Sequence, residues 1–323
     1  MYKLDTDLKY TWKNRGYPRQ THLEDRSCDH TKKSLSIDHK GRVFHCRCDG
    51  WLPFNNGTIL DFGSVEEIFS SKMARKLQQS TDTGGSFKFC NTQACGIRNN
   101  SWWTPAGHMR RNFIVAVDDS CNLQCASCRE NLIFFKSGPV YEYRQRLMRH
   151  FKTLLEDDAR PSRTTIGGNG DAFASVIYKE FLYSLDLRDD QVLILKTNGI
   201  LIEREIEKFN FINNIASLDI SIDAGTESTY GVLRAPGKWH RLIDNIKFSR
   251  QLGININLNF VIQKRNLYDI EPFLKLCEEL DCVPNLTMVE DWGTWHNFHE
   301  HDVTDERNPC YSDWVKIKEE FKL

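Results

Sequence analysis

Short apolar runs alternate with helix-like stretches along the chain from about residue 112 onward. The nearly continuous apolar runs predict strands buried on both faces, and apolar residues that recur every three to four positions predict amphipathic helices. The six predicted strands are 113–118, 164–168, 192–196, 217–223, 256–262 and 283–290. Because strands that alternate with helices form parallel sheets, the pattern predicts an α/β fold of six βα units. Six units leave a partial barrel or an open doubly wound sheet, with ligands at the carboxyl ends of the strands.

The first 105 residues or so follow a different pattern. They are rich in turns and contain short hydrophobic runs such as SLSI and GRVFHC. One helix-like stretch covers 64–80, and Ser64 with Glu67 three residues later predicts a capping box at its start. A region of this kind predicts a small module that a bound group must hold together. The predicted domains are therefore 1–107 as this module, 108–290 as the barrel and 291–323 as a tail with a final helix.

Charge and hydropathy narrow the possible partners. The 323 residues carry 43 Lys and Arg against 44 Asp and Glu, so no overall field favours nucleic acid or an anionic membrane. No run of about 18 apolar residues predicts a membrane-spanning helix, and the first 20 residues lack the apolar core of an export signal. We expect a cytoplasmic protein without nucleic-acid or membrane partners.

Cysteine usage is the anomaly of the composition. The chain has 11 cysteines, an odd number, and most of them fall before residue 129. Without an export signal, cysteines clustered in this way indicate metal or cluster ligation rather than a disulfide framework. The eight in that region are Cys28, Cys46, Cys48, Cys90, Cys95, Cys121, Cys125 and Cys128.

The segment VDDSCNLQCASCRE, after the first strand of the predicted barrel, carries a C-x3-C-x2-C array at Cys121, Cys125 and Cys128. Three thiolates hold three corners of a [4Fe–4S] cluster, whereas full ligation takes four. The fourth iron is then open and can chelate an amino-carboxylate ligand, much as a catalytic zinc keeps one open position. A zinc knuckle or unrelated core thiols are the alternatives.

This array, placed after a first strand and followed by six βα units, resembles the signature of the radical S-adenosylmethionine (SAM) superfamily. The resemblance implies a partial (β/α)6 TIM-like barrel, with SAM bound to the open iron through its amino and carboxylate groups. It also implies one-electron cleavage of the sulfonium and hydrogen abstraction from a substrate by the 5′-deoxyadenosyl radical. Members often have an aromatic residue just before the third cysteine, and this chain departs from that pattern with Ser127.

Two glycine-containing motifs at strand ends resemble SAM-binding motifs of the same family. The segment IGGNGDAF ends the second strand and resembles a GGE-type motif, whose backbone carbonyls would hold the SAM ammonium. The segment LKTNG ends the third strand and resembles a TNG motif, in which Asn198 would orient ribose or substrate. Tight turns explain either segment equally well. The cofactor-binding residues expected in the first motif are Gly167, Gly168, Asn169, Gly170 and Asp171.

The fourth and fifth predicted strands end in two further motifs. Residues 217–234 resemble the pattern S-x-D-A-x5-Y-x3-R of the subfamily with auxiliary clusters. By position, Ser221 would bind ribose, Asp223 would order the loop, and Arg234 would pair with the SAM carboxylate. Val261 and Ile262, in NFVIQKRN, would flank adenine. The alternatives are a solvated cation at a helix start for Arg234 and a plain core strand for the apolar pair.

The N-terminal cysteines resemble an auxiliary-cluster module. Cys28, Gly41 and Cys46 fit C-x12-G-x4-C, which is similar to the opening half of the SPASM or "twitch" module. That module follows the barrel in its relatives and would precede it here. The resemblance predicts a second [4Fe–4S] cluster, and one zinc ion with four thiolates is the rival. The expected ligands are Cys28, Cys46, Cys90 and Cys95, with Cys48 as the competitor.

Function stays open at the level of the reaction. The main hypothesis is oxidation or epimerisation of a small, sugar-like molecule, with a one-electron reductant such as flavodoxin or ferredoxin as partner. A peptide-modifying enzyme that forms thioether or carbon–carbon links or epimerises a residue is the nearest alternative. A non-catalytic iron–sulfur carrier or zinc-stabilised scaffold is the alternative of another class. Cys310, in ERNPCYSDW, is the candidate hydrogen-atom donor if the reaction is an epimerisation.

Overall fold

The structure is a computed structural model that describes residues 27–46, 55–90, 110–129, 131–291 and 293–323. Eight strands in these ranges follow the order β2-β1-β3-β4-β5-β6-β7-β8 in one mostly parallel sheet, which confirms the predicted α/β fold class. The strands are β1 Ser34–Ile37, β2 Val43–His45, β3 Arg111–Val115, β4 Ser162–Ile166, β5 Gln191–Thr197, β6 Ile215–Ser221, β7 Ile256–Ile262 and β8 Val283–Met288.

Helices occupy the segments between these strands. They are α1 His30–Lys33, α2 Val65–Ser70, α3 Lys72–Thr81, α4 Pro139–Asp157, α5 Val176–Ser184, α6 Ile202–Ile206, α7 Glu227–Leu233, α8 Trp239–Gln251, α9 Ile270–Glu279 and α10 Tyr311–Phe321. From β3 onward, strands and helices alternate as the periodicity predicts. No helix in the described part of the chain is long and apolar enough to span a lipid bilayer.

The chain divides into two compact units that do not follow the predicted domain boundaries. The first comprises Met1–Asp119, Phe135–Asn169 and Val176–Leu193, and the second comprises Ser120–Phe134, Gly170–Ser175 and Ile194–Leu323. The boundaries at 107 and 290 stay a prediction from the sequence.

Within the first unit, two short strands from the N-terminal region join the first strand of the predicted barrel. Leu35 of β1 lies opposite Phe113 of β3 in a parallel pair and opposite His45 of β2 in an antiparallel pair. All four residues of β1 are buried. The apolar runs SLSI and GRVFHC are therefore sheet strands.

The core of the first unit lies between β3 and the helices α4 and α5. Phe113 meets Phe151 edge-on, with ring centroids 5.7 Å apart, and Phe151 lies 5.9 Å from Phe181. All three rings are buried. Aromatic packing of this kind fixes both helices against the strand, because each ring removes a large apolar area from water.

The predicted helix at 64–80 is two helices in the structure. Ser64 accepts a hydrogen bond from the Glu67 N–H and begins α2, while the Glu67 carboxylate accepts from the Gly63 N–H. Ser71 then leaves the helical conformation, with ψ of 155°, and its hydroxyl caps α3 by accepting from the Ala74 N–H. Serine side chains favour such caps over helix interiors, which explains the break.

Within the second unit, one face of the parallel strands β6, β7 and β8 packs against helices. Ile220 of β6 faces α8, since a Cβ placed on Gly199 would meet both Ile220 and Leu242. Phe260 of β7 packs against Phe273 of α9, with ring centroids 4.7 Å apart. The even-numbered residues of β6 and β7 thus form the apolar, helix-facing side.

The opposite face of the same three strands is polar. Asp219 lies opposite Asn257, whose Nδ2 donates to its Oδ1 at 2.7 Å. Asn259 lies opposite Asn285, whose Nδ2 donates to the Asn259 Oδ1 at 2.7 Å. The side of the sheet that faces away from the helices therefore offers one carboxylate and three amides.

Candidate iron–sulfur and cofactor site

The loop after β3 carries the three-cysteine array. Cys121 pairs with Ile133 in an antiparallel bridge through its N–H, at 2.9 Å. The chain then turns between Cys125 and Cys128, where the Cys128 N–H donates to the Cys125 carbonyl at 3.0 Å. Cys125 is buried, Cys121 is half-buried and Cys128 is exposed. The loop is thus tied to itself by backbone hydrogen bonds at both ends of the array.

The Cys121 thiol receives donors from its own loop and from the loop after β5. The Leu123 N–H donates to its Sγ at 3.5 Å, and the Asn198 Nδ2 lies 3.7 Å from the same atom. Asn198 also donates to Asn122 Oδ1 at 2.8 Å. Burial, together with the charge of Asp171, raises the pKa of Cys121 to about 11. Binding of a metal to this thiol must therefore release its proton.

Guanidinium groups contact the other two thiols. Arg234 Nη1 donates to Cys125 Sγ at 3.5 Å. Arg129 reaches Cys128 Sγ with both Nε and Nη2, each at 3.4 Å. Each of the three thiols thus has one side-chain donor, and two of those donors are cations. Such donors stabilise thiolates and the cluster that thiolates hold.

Asp171, expected as a cofactor-binding residue, is buried and accepts hydrogen bonds from the segment that carries Asn198, the side-chain donor to Cys121. One oxygen accepts from the Phe173 and Ala174 N–H groups at 3.0 and 2.8 Å. The other accepts from the Thr197 hydroxyl at 2.9 Å and from the Asn198 N–H at 2.7 Å. These four donors satisfy the carboxylate, so Asp171 acts by fixing the position of Asn198.

Arg234 is held by an ion pair at the end of α7. Its Nη2 lies 2.6 Å from Asp223 Oδ2, and Asp223 Oδ1 accepts from the Val261 N–H at 2.8 Å. Burial acts to lower the pKa of Arg234, but Asp223 and Cys125 outweigh it and raise the pKa above its ordinary value. Arg234 is therefore a fixed cation beside Cys125. Asp223 itself has φ of 54°, and its expected role in ordering the loop stays a prediction.

Two buried polar atoms near Cys125 have no hydrogen-bond partner within the described ranges, Arg234 Nε and Tyr230 Oη. Tyr230 is 1% exposed and meets Trp239 edge-on at 5.6 Å. Burial raises the pKa of its hydroxyl, which remains protonated and able to donate. Polar groups without partners in a protein interior favour a site for a polar group. The residues around the cysteine loop thus fit a cluster with thiolate ligands and a polar ligand beside it.

The glycines after β4 belong to the first unit up to Asn169. Gly167 and Gly168 have φ of 99° and 140°, which side chains rarely adopt. A Cβ on Gly168 would meet only Ala116, at 3.8 Å, so backbone conformation alone requires glycine there. Gly170 begins a segment of the second unit. Contact of these residues with SAM stays a prediction.

The remaining expected SAM contacts lie at the carboxyl ends of β6 and β7. Ser221 is the half-buried last residue of β6. Val261 is half-buried, whereas Ile262 is buried and has the parity of Phe260, which packs against α9. Only Val261 therefore shares the polar face, and the roles of the pair at adenine stay predictions.

Three of the N-terminal cysteines pack among apolar side chains. Cys28 and Cys90 pack with Phe87, whereas Cys46 packs with a second group formed by Leu77, Phe89 and Met73. Cys48 and Cys95 lie outside the described residues. The ligand set of the expected second cluster therefore stays a prediction.

Cys310 is the N-cap residue of α10. Its N–H donates to Asn308 Oδ1 at 2.9 Å, and its thiol interacts with Tyr268, a largely exposed side chain. Its role as hydrogen-atom donor stays a prediction. In the described ranges, no group of three or more His, Cys, Asp and Glu side chains is arranged to hold a single metal ion.

Sequence patterns missed Arg129 as a partner of the array. Its position directly after the third cysteine was the available signal, because a long side chain there can fold back onto the preceding thiol. Arg129 also lines a cleft of about 470 Å³ beside the loop. The residues lining this cleft are Gln124, Ala126, Arg129, Leu132, Ala235, Pro236 and Thr294.

Solved structures with a similar fold include two that cover more than half of this chain. A structure titled "Native anSMEcpe with bound AdoMet" is 17% identical, with a TM-score of 0.41, over 56% of this chain and 51% of its own. SuiB of Streptococcus suis, bound to precursor peptide SuiA, is 16% identical, with a TM-score of 0.45, over 65% of this chain and 45% of its own.

Curated proteins give a match at the level of sequence, although no family model matches the chain. An AdoMet-dependent heme synthase of Methanosarcina barkeri is 28% identical over 166 residues, which is 50% of this chain and 46% of that protein. A second, from Nitratidesulfovibrio vulgaris, is 25% identical over 185 residues, which is 56% of this chain and 46% of that protein. The matches thus span about half the length of these relatives. Together with the three-cysteine loop after β3, these matches support the resemblance of the chain to the radical SAM superfamily.

Proposed function

We propose that this chain binds a [4Fe–4S] cluster through Cys121, Cys125 and Cys128 and uses it to cleave SAM reductively. When bound, the cluster and SAM supply a 5′-deoxyadenosyl radical that abstracts a hydrogen atom from a substrate. The observation that carries the proposal is the set of side-chain donors on the three thiols. Two of those donors, Asn198 and Arg234, come from the motifs that resemble SAM-binding motifs.

The chain's own residues orient and hold the reactants in this proposal. Arg234, fixed by Asp223 at 2.6 Å, retains an Nε donor for the SAM carboxylate. With Nη1 on Cys125 and Nη2 on Asp223, Nε is the N–H group left to donate to a carboxylate oxygen. The positive-φ backbone at Gly167 and Gly168 would let a ligand approach the carbonyl oxygens of that loop. Ser221, at the end of β6, donates to ribose.

The substrate we favour is a small, polar, sugar-like molecule that is oxidised or epimerised. Support comes from the polar face of β6, β7 and β8, where uncharged amides outnumber the single carboxylate of Asp219. Amides pair with hydroxyl groups as donors and as acceptors. A peptide backbone offers similar chemistry, so a peptide-modifying enzyme is the second candidate.

An auxiliary [4Fe–4S] cluster in the N-terminal region would accept or pass an electron, or bind substrate. Its proposed ligands are Cys28, Cys46, Cys90 and Cys95, and four-thiolate zinc is the alternative. The apolar surroundings of Cys28 and Cys46 favour a group with little solvent contact. Flavodoxin or ferredoxin would supply the electron for SAM cleavage, and we propose the cytoplasm as the compartment.

The test is anaerobic reconstitution of the full chain, with iron counted and SAM and titanium(III) citrate added. We expect about eight irons per chain for two clusters, or about four if the N-terminal site binds zinc. We expect 5′-deoxyadenosine to form in both cases. Cys125→Ala should lose about four irons and form no 5′-deoxyadenosine.

Cys277→Ala is the matched control, because Cys277 is also a buried thiol of the second unit but lies in α9. It should keep the iron content and the product. A wild-type chain loaded with iron that leaves SAM intact would contradict the proposal and favour a non-catalytic electron carrier. Equal losses in both variants would indicate unfolding rather than ligation.

A further inference from the structure

We propose that Arg129 is a positioning residue that raises the reduction potential of the cluster held by the cysteine array, so that a biological reductant can reduce it. The inference rests on the proposed function, because it concerns the cluster named there. It goes beyond that function by assigning a role to a residue outside the motifs that resemble SAM-binding motifs.

Two N–H groups of the Arg129 guanidinium contact a single sulfur atom. Arg129 Nε and Nη2 both lie 3.4 Å from Cys128 Sγ, so two N–H groups converge on the same atom. The Arg129 N–H also donates to the Cys125 carbonyl at 3.3 Å, which fixes the start of the side chain. The guanidinium is therefore held from both ends over the exposed thiol of the array.

Arg129 carries a permanent positive charge beside the sulfur that it contacts. Reduction adds one negative charge to a cluster, and a nearby fixed cation stabilises that charge. Hydrogen bonds to ligand sulfurs act in the same direction, because they withdraw electron density from the metal.

Arg234 contacts the array differently. It is ion-paired with Asp223, with its Nη2 2.6 Å from Asp223 Oδ2. The Nη1 of Arg234 gives Cys125 a single donor, whereas Arg129 gives Cys128 two. The two guanidinium groups thus have different proposed roles. Arg234 would bind the SAM carboxylate, whereas Arg129 donates hydrogen bonds to Cys128 Sγ.

The experiment compares four reconstituted full-length chains: wild type, Arg129→Gln, Arg129→Lys and Arg241→Gln. Arg241 is an exposed arginine of the same unit, so its variant controls for the loss of one charge. The first readout is the midpoint potential of the EPR signal that changes when SAM is added, which separates this cluster from an auxiliary one. The second is the rate of 5′-deoxyadenosine formation with dithionite and with the stronger reductant titanium(III) citrate.

We expect Arg129→Gln to shift the midpoint potential to more negative values and Arg241→Gln to leave it unchanged. Arg129→Lys should recover part of the shift, since it restores the charge without the fork. With dithionite the Arg129→Gln rate should fall roughly tenfold, a typical effect of losing a hydrogen-bond donor to a metal-ligating atom. Titanium(III) citrate should restore most of the rate, because cluster reduction is then no longer limiting.

The inference is overturned if Arg129→Gln keeps the wild-type potential while holding its iron. It is also overturned if both Arg129 variants lose iron and their remaining clusters keep the wild-type potential, because Arg129 would then have only a structural role. A wild-type chain without a SAM-responsive EPR signal would overturn the proposed function itself. That result differs from the other two because it appears without any substitution.

Discussion

The two groups of cysteines in this chain have contrasting surroundings. Cys121, Cys125 and Cys128 fall within eight residues, and a polar or cationic side chain contacts each thiol. The N-terminal thiols that the structure describes, Cys28, Cys46 and Cys90, come from separate segments and pack against apolar side chains such as Phe87 and Leu77.

Because of this difference, we expect the two groups of cysteines to depend differently on a bound metal. Hydrogen-bond donors around the array stabilise the thiolates that form when a metal displaces their protons, whereas apolar surroundings give no such stabilisation. We therefore expect the fold to organise the cysteine array in part, and the N-terminal cysteines to depend more on the group proposed there. The predictions below test this contrast, from the largest effect to the smallest.

Replacing one cysteine in each group should affect the rate of SAM cleavage to very different extents. Cys125→Ala should abolish 5′-deoxyadenosine formation, since two thiolates cannot hold the cluster with an open iron. Cys28→Ala should reduce the iron content but leave SAM cleavage at half the wild-type rate or more. Iron analysis and product chromatography on the two variants measure this. Loss of SAM cleavage in Cys28→Ala, while the array still holds its cluster, would contradict the expected difference between the two groups of cysteines.

Replacing the Asp171 carboxylate should destabilise the second unit. Asp171→Asn replaces a carboxylate that accepts four hydrogen bonds, so an amide N–H must face at least one of the four donors. We expect the free energy of unfolding to fall by about 2 kcal/mol, as for buried hydrogen bonds to a charged group. Urea unfolding measures it, and Asp189→Asn, on an exposed residue, is the control with no change.

A smaller effect is expected from the polar contact that anchors the N-terminal cysteines. The Thr31 hydroxyl donates to the Cys28 carbonyl at 3.1 Å and meets the Thr81 hydroxyl at 2.9 Å. Thr31→Val should cost about 1 kcal/mol and speed the release of iron from the N-terminal site, because Cys28 loses its anchor. Thr153→Val, on an exposed residue of α4, is the matched control. Faster loss of the SAM-responsive cluster instead would contradict the assignment.

The last prediction concerns Cys310, whose replacement should leave SAM cleavage itself unaffected. If its thiol donates a hydrogen atom in an epimerisation, Cys310→Ala should leave SAM cleavage unchanged and stop product formation after the radical step. The radical would then accumulate in the EPR spectrum once the substrate is known. Unchanged turnover would reject the role, and the contacts of Cys310 with Tyr268 and Asn308 would then be structural.

The strands and motifs that depend mainly on neighbouring residues were predicted from the sequence. The strand β7 was expected at 256–262 and is found there, and β6 was expected only two residues late. Local apolar runs determine such strands, because burial of both faces suits any continuous apolar segment. The array at Cys121, Cys125 and Cys128 was also evident from spacing alone.

Contacts between distant segments were beyond sequence patterns. Asn198 reaches Cys121 across 77 positions, and Arg234 reaches Cys125 across 109. The packing of the whole sheet determines which loop contacts which strand end. The spacing of residues along the sequence does not predict these contacts. The pairing of β1 with β3 and the break at Ser71 were missed because each depends on a few side chains that compete with a regular pattern.

The shared carboxylate of Asp171 has one further consequence. Its two oxygens join the loop after β4 to the loop after β5, so neither loop can rearrange without disturbing the other. Ordering a flexible loop costs conformational entropy at the moment of binding. Here that cost is met during folding, and an incoming cofactor meets a surface that is already rigid. Affinity in such a site depends on contact quality rather than on induced ordering.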